Sequence, residues 1–388
     1  MIEPKLRFKA DDGSQFPDWE EKTIDEVAEC LNNKRVPVNS EERKKRVGVI
    51  PYYGAGGIQG YIDDYLFDEE LVLLLEDGDA FDDFQTKSIA QYVTGKSWVN
   101  NHAHVLRANG NSYFLFASLE HKDIRRWTQL AGASRKKLLK DSMLKITVNM
   151  PSLPEQQKIA EFLSTIDTVI EKQKETVSAW EERKKGVMQK LFSQEVRFKA
   201  DDGSEFPEWE EKKLGEVFAE RTERSKGGES LLSVTIAQGI VKQSETDKRN
   251  IASENKSNYK IVKKNDLAYN TMRMWQGAEG VSEYDGIVSP AYTVITALDG
   301  NNSYFFETMF KQTFMLQVFQ RYSQGLTSDT WNLKFPAFSE IKCQIPCEDE
   351  QNKIVECVAV LNEVIEKQKA TLAAWEELKK GLLQQMFV

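Results

Sequence analysis

Residues 7–22 read Arg-Phe-Lys-Ala-Asp-Asp-Gly-Ser-Gln-Phe-Pro-Asp-Trp-Glu-Glu-Lys, and residues 197–212 repeat them with Glu205 for Gln15 and Glu208 for Asp18. A separation near 190 residues is far longer than the roughly 20–50 residues of solenoid or propeller units. It implies two domain-sized copies of one module. The duplication continues. Glu155-Gln156-Gln157-Lys158-Ile159 matches Glu350-Gln351-Asn352-Lys353-Ile354, and Ile170-Glu171-Lys172-Gln173-Lys174 returns as Ile365-Glu366-Lys367-Gln368-Lys369. Ala179-Trp180-Glu181-Glu182 returns as Ala374-Trp375-Glu376-Glu377, now at an offset of 195. The order is short motif, variable block and long helix, then the same again. Such a pair usually offers two similar docking surfaces about a pseudo-two-fold axis.

The late segments carry a helical rhythm. Ile159, Phe162, Ile166, Val169, Gln173, Thr176, Trp180 and Val187 follow alternating spacings of three and four, as do Ile354, Cys357, Leu361, Val364, Gln368, Thr371, Trp375, Leu378 and Leu382. This predicts a coiled-coil seam. Two-fold related halves would pair antiparallel. Pro154 stands where proline suits a helix start. Gln173 and Gln368 are matching polar positions that either face solvent near a helix end or fix register. About 38 residues per helix gives about 57 Å. The expected layout is a first globular block over 1–150, a helix over 151–194, a second block over 195–346 and a helix over 347–388.

The blocks read as mixed α/β. Leu71-Val72-Leu73-Leu74-Leu75, Val47-Gly48-Val49-Ile50, Tyr113-Phe114-Leu115-Phe116 and residues 287–296 look like strands, while 121–130 and 307–322 look helical. The net charge of −9 argues against a nucleic-acid binder at first sight. Its distribution does not. Residues 30–150 hold 17 Lys+Arg against 15 Asp+Glu, and residues 222–346 hold 14 against 13. The acid sits in the repeated frame, and a near-neutral block can present one basic face.

Motifs for chemistry are missing. The sequence has no G-x-x-x-x-G-K-[ST] loop, no nucleophile elbow and no Asn/Asp-Pro-Pro-Tyr/Phe stretch of amino-methyltransferases. His102-Ala103-His104 could chelate a metal from a strand, but it lacks a nearby cysteine and reads better as a polar strand edge; no metal site is expected. Four cysteines without C-x-x-C spacing fit a reduced, cytoplasmic setting. Neither a secretory signal nor a membrane span is expected.

The opening motif, the proline-flanked Glu-Gln-x-Lys-Ile entry to each helix and the duplication itself together resemble the specificity subunit of type I restriction-modification systems, over the whole chain. Pro51-Tyr52-Tyr53-Gly54-Ala55 and Asn100-Asn101-His102-Ala103-His104 look like elements of one class of target-recognition domain. Tyr269-Asn270-Thr271-Met272-Arg273-Met274-Trp275-Gln276-Gly277 and Ser289-Pro290-Ala291-Tyr292 look like another. The resemblance implies an α+β fold in which two target-recognition domains are joined by two long antiparallel helices that act as a ruler. Each domain would read half of a split, asymmetric site in double-stranded DNA. Two methyltransferase subunits would dock on the frame, with restriction subunits added. S-adenosylmethionine, ATP and Mg would sit on those partners, leaving this chain without a cofactor or catalytic residues. The competing reading is a duplicated coiled-coil adaptor that joins two identical partners without reading DNA. The unlike blocks argue against it.

Base edges are read by Arg, Lys, Asn and Gln, and phosphates by cations. In the first block the candidates are Tyr52, Tyr53, Gln59, Lys96, Trp98, Asn100 and His102, although Lys96-Ser97-Trp98 reads equally as a solvated turn. The run Arg43-Lys44-Lys45-Arg46 reads as a solvated loop or as a phosphate contact through Arg43, Lys44 and Lys45. Core packing is the competing role for the tyrosines. Arg135-Lys136-Lys137, after the loop Gly132-Ala133-Ser134, is a further basic run. In the second block the candidates are Arg273, Trp275, Gln276, Ser328, Thr330 and Asn332. Trp275 could equally be core, and residues 325–331 read as a polar loop.

Overall fold

A computed structural model describes residues 4–131, 135–236, 238–245, 255–328 and 330–387. The chain forms two compact units, Met1–Thr176 with Gln368–Val388, and Val177–Lys367. Each long helix has 40 residues, Leu153–Phe192 and Glu348–Phe387, or about 60 Å. Each contributes its N-terminal part to one unit and its C-terminal part to the other. The helices lie within the expected spans 151–194 and 347–388, and each is divided between the two units. They are built into the cores of the blocks.

The seam runs one residue away from the expected one at every other position. Ile159, Ile166 and Ile354 are buried, and Gln173, Trp180, Leu361, Gln368, Trp375 and Leu382 are half-buried. However, Leu163 (0%) and Ile170 (5%) replace Phe162 (38%) and Val169, and Val358 and Ile365 replace Cys357 and Val364. Adjacent apolar pairs such as Phe162-Leu163 and Val364-Ile365 satisfy both phases of a 3-4 pattern, and only the partner surface chooses between them. Phe162 instead meets Phe8 edge-on at 5.4 Å. In the first unit the helical segments run antiparallel: Lys379 pairs with Asp167 (2.9 Å), and Gln173 Nε2 donates to Gln368 Oε1 (2.8 Å) and to its carbonyl (3.0 Å). Gln173 thus meets its own duplicate, as expected at the midpoint of a two-fold pairing.

The repeated motifs hold the helix starts. Arg7 grips Glu155 with two bonds (3.1 and 2.8 Å) and donates to the Pro17 carbonyl (2.7 Å). Arg197 does the same to Glu350 (3.1 and 2.7 Å) and Pro207. The carboxylates are 0% and 1% exposed, so each needs its planar, two-pronged partner. Gln156 accepts from the Asn111 backbone and donates to the Pro151 carbonyl, and Gln351 serves Asn302 and Pro346 identically. This ties each long helix to a short one, Ser112–Leu119 or Ser303–Phe310.

The blocks share a framework despite their unlike sequences. A four-stranded antiparallel sheet in the first unit runs Ala28–Cys30, Ala103–Ala108, Leu71–Leu75, Ala90–Val93. The second unit repeats that order as Phe218–Glu220, Tyr292–Ala297, Leu267–Asn270, Glu279–Val281. The blocks then diverge. The first adds a second sheet, Gly57–Ile62, Ile50–Gly54, Lys96–Val99, Phe67–Asp68, whose central pair is parallel. The second adds a hairpin, Leu232–Thr235 with Gly239–Lys242, and a separate antiparallel pair, Lys260–Val262 with Gly286–Val288.

Four local expectations change. Tyr113-Phe114-Leu115-Phe116 lies in the helix Ser112–Leu119, capped by the Asn111 side chain on Phe114 N. All eight residues are buried, which erases the periodicity that distinguishes helix from strand. Of Val47-Gly48-Val49-Ile50, only Ile50 joins a strand, because the valines find no core to face and stay exposed. Residues 121–130 are not helical beyond the short turn Arg125–Trp127. Residues 307–322 hold parts of two helices, Ser303–Phe310 and Thr313–Tyr322, broken at Lys311 and Gln312.

Arg197→Met should cost about 3–5 kcal/mol by leaving the Glu350 carboxylate buried and unpaired, read by urea unfolding, with Glu350→Gln recovering part of the loss. Burial also raises the Glu279 pKa well above its usual 4.5, Lys311 opposing and Glu307 adding to the effect. The unfolded chain releases this proton near pH 4.5 while the folded chain keeps it. Stability should therefore fall as pH rises above about 4.5, and Glu279→Gln should flatten that slope.

Candidate nucleic-acid interface

In the first unit the short helix Ser40–Arg43, capped by Asn39, leads into a largely exposed segment over 44–49. The Arg43 guanidinium lies 4.6 Å above the Tyr52 ring, and that of Arg46 lies 4.5 Å above the Trp98 ring. Arg46 also bonds Asp63 at 2.8 Å. Tyr52 is 1% exposed, with its hydroxyl on the Val38 backbone, and Trp98 is 6% exposed, its Nε1 donating to the Val36 carbonyl. Tyr52 and Trp98 are therefore core residues and do not reach a base. They form an aromatic floor that orients two arginines, each such contact worth about 0.5–2 kcal/mol.

Other first-unit candidates divide between surface and support. Lys45 is exposed and has no ion-pair partner among the described residues, whereas Lys44 pairs with Glu41. Lys96 is exposed, 4.7 Å above the Tyr65 ring. Gln59 is exposed, and its amide crosses Gly54 so closely that a Cβ there would overlap it. Asn100 is 5% exposed, so it is not a direct reader. Its amide reaches Gln59 at 3.4 Å and its oxygen accepts from His102 N. Tyr53 is half-buried, and burial raises its phenol pKa.

The histidines are already engaged. His102 Nδ1 is 3.0 Å from Asp77. His104 is buried, accepting from Asn32 at Nδ1 and donating from Nε2 to the Leu138 carbonyl, both at 2.8 Å. Burial lowers its pKa, which suits this neutral tautomer. Of the later basic run, Lys136 pairs with Asp82 and Lys137 with Glu76, while residues 132–134 lie outside the described residues.

In the second unit the six candidates fall in adjoining segments. Arg273 precedes the turn Met274–Gln276, and the Trp275 ring meets Trp331 edge-on at 5.3 Å. Leu333 N donates to the Thr271 carbonyl, and Gln324 and Asn332 exchange two backbone bonds (2.9 and 2.8 Å) that close a loop. Inside it, Thr330 bonds Thr327 and a Cβ on Gly325 (φ 145°) would lie 2.6 Å from the Thr330 carbonyl. Gln276, Ser328 and Thr330 are exposed. Half-exposed Arg273 has no ion-pair partner among the described residues. Trp275 and Asn332 shape the patch.

Sequence reasoning missed the exposed apolar residues beside these patches, Val47 (82%), Val49 (85%) and Leu326 (100%). The two valines flanking Gly48 were the available signal.

Known proteins share this arrangement. The family model for the type I restriction modification DNA specificity domain matches twice, over residues 17–178 and 207–374. The chain belongs to that family. A Haemophilus influenzae protein provisionally described as a type I restriction enzyme specificity subunit is 40% identical over 157 residues, covering 40% of this chain and 38% of that protein. The MjaVIII specificity subunit of Methanocaldococcus jannaschii is 28% identical over 229 residues, covering 54% and 52%. The chain thus spans about half the length, or less, of the curated relatives it matches. The crystal structure of a type I restriction-modification S subunit from M. genitalium superposes with a TM-score of 0.62 at 15% identity, covering 100% of this chain and 99% of that one. At that identity the likeness establishes the fold. No helix among the described residues is long and apolar enough to cross a membrane.

The first specificity domain's exposed segment offers a direct check. A Cβ on Gly48 would overlap the Ile62 carbonyl oxygen and the Asp63 backbone. Gly48→Ala should cost about 1–3 kcal/mol and speed amide exchange over 44–49, whereas Lys45→Ala should stay within about 0.5 kcal/mol of the parent. Thermal unfolding and hydrogen exchange read both.

Proposed function

We propose that this chain is the non-catalytic DNA-reading subunit of a type I restriction-modification complex, with each specificity domain reading one half of a bipartite, asymmetric site. The observation that carries this reading is a pair of domains with one sheet order and unlike surface residues, the segment 44–49 in the first and Arg273, Gln276, Ser328 and Thr330 in the second. A joining protein needs two similar faces. Two unlike half-sites need a common frame with different probes. Lys45 and Arg273 supply cations not consumed by carboxylates, as phosphate contact requires.

In this reading the duplicated frame holds two methyltransferase subunits and the restriction subunits. S-adenosylmethionine, ATP and Mg belong to those partners, and the complex works in the cytoplasm. The chain's own residues bind and orient DNA.

Methylome sequencing of a host carrying the chain with its methyltransferase, against a deletion of this chain, tests the proposal. A bipartite methylated adenine motif that disappears on deletion is expected. Methylation that persists unchanged would refute it. Lys45→Ala and Arg273→Ala should each lower the salt dependence of DNA binding by about one phosphate contact, measured by titration over a range of salt concentrations.

A further inference from the structure

Two exposed aliphatic side chains beside the cations of the first unit are unexplained by folding. Val47 and Val49 are 82% and 85% exposed and so contribute little to the core. Single exposed apolar residues are ordinary, but this segment is held in shape from three sides. Arg43 rests on the Tyr52 ring. Arg46 is clamped between Asp63 and the Trp98 ring. Gly48 packs so tightly on the backbone of Ile62 and Asp63 that no side chain fits there. The valines on either side of Gly48 are thereby presented outward from a pinned segment, next to the free ammonium of Lys45.

We propose that Val47 and Val49 read thymine 5-methyl groups in the major groove of the half-site recognised by the first unit. The inference rests on the DNA-reading function proposed above. The thymine methyl is the apolar feature among the groups that base pairs display in that groove, and aliphatic side chains are its natural partners. Valine is short and branched, whereas the apolar wedges that pry apart base steps from the minor groove are typically Phe, Leu, Ile, Met or Pro. A pinned backbone suits this task, because a small methyl contact discriminates only when its position is fixed. The adjacent cations would hold the segment on phosphate and set its register.

The test is selection of bound duplexes from a random DNA pool by the full-length chain with its methyltransferase partner. It is run once with thymine and once with deoxyuridine replacing thymine throughout. Gln59→Ala, by relaxing the consensus at the base it contacts, marks which half-site belongs to the first unit, and Gln276→Ala marks the other. The first half-site should contain a thymine whose enrichment falls about fourfold per lost methyl contact in the deoxyuridine pool. Val47→Ser with Val49→Ser should produce the same loss in the thymine pool and leave the other half-site unchanged. These positions are exposed, so the variant should fold as the parent does, which thermal unfolding confirms. A first half-site without thymine, equal enrichment of thymine and deoxyuridine, or an unchanged consensus in the double variant overturns the inference. A valine effect that is insensitive to deoxyuridine also overturns it, pointing to backbone or minor-groove contact. Absence of any consensus with the parent protein would instead refute the DNA-reading function itself.

Discussion

The buried arginine–carboxylate clamp at the root of each long helix is the constraint on which the architecture depends. Glu155 and Glu350 have almost no access to water, and a carboxylate so placed is stable only with a partner that satisfies both oxygens. Arg7 and Arg197 do this while also bonding the carbonyls before the repeated tryptophans. One residue of the opening motif therefore fixes the helix start and the entry to the first strand. The recurrence of Arg, Pro-x-Trp and Glu-Gln at fixed places follows from this geometry.

On that frame the two domains separate support from display. Buried and half-buried polar and aromatic groups do the positioning: Asn100 holds Gln59, Trp98 carries Arg46, and half-buried Trp331 braces Trp275. What reaches solvent is a short pinned segment in one domain and a closed loop beside a turn in the other. In the proposed DNA-reading role the residues best placed to meet DNA are accordingly modest ones, such as Lys45, Gln59, Gln276 and Thr330, while the large rings lie mostly beneath them.

Much of this was legible in the amino-acid order. The duplication, the two helices and the mixed character of the blocks were written in repeats and in apolar spacing. The phase of the seam was not, because Phe162-Leu163 and Val364-Ile365 fit either of two rotations until a partner surface exists. Tyr113-Phe114-Leu115-Phe116 resembled a strand because a helix buried on every face loses its period. The recurrence of Asn-Ser-Tyr-Phe at 111–114 and 302–305 was a usable signal for that helix, since asparagine caps both copies. The site was legible as a region more than as residues. Tyr52 and Trp98 are buried beneath arginines instead of standing at the surface, because composition cannot tell an exposed ring from one that carries a cation.

The aromatic floor beneath the first basic segment has an evolutionary consequence. Tyr52 and Trp98 are anchored by their own hydrogen bonds to Val38 and Val36, independently of what lies above them. Codons for the exposed positions of that segment, Lys45, Val47 and Val49, can therefore drift or be exchanged with little loss of folded protein. Under the proposed DNA-reading function, a lineage can acquire a new address by neutral steps, without passing through unstable intermediates.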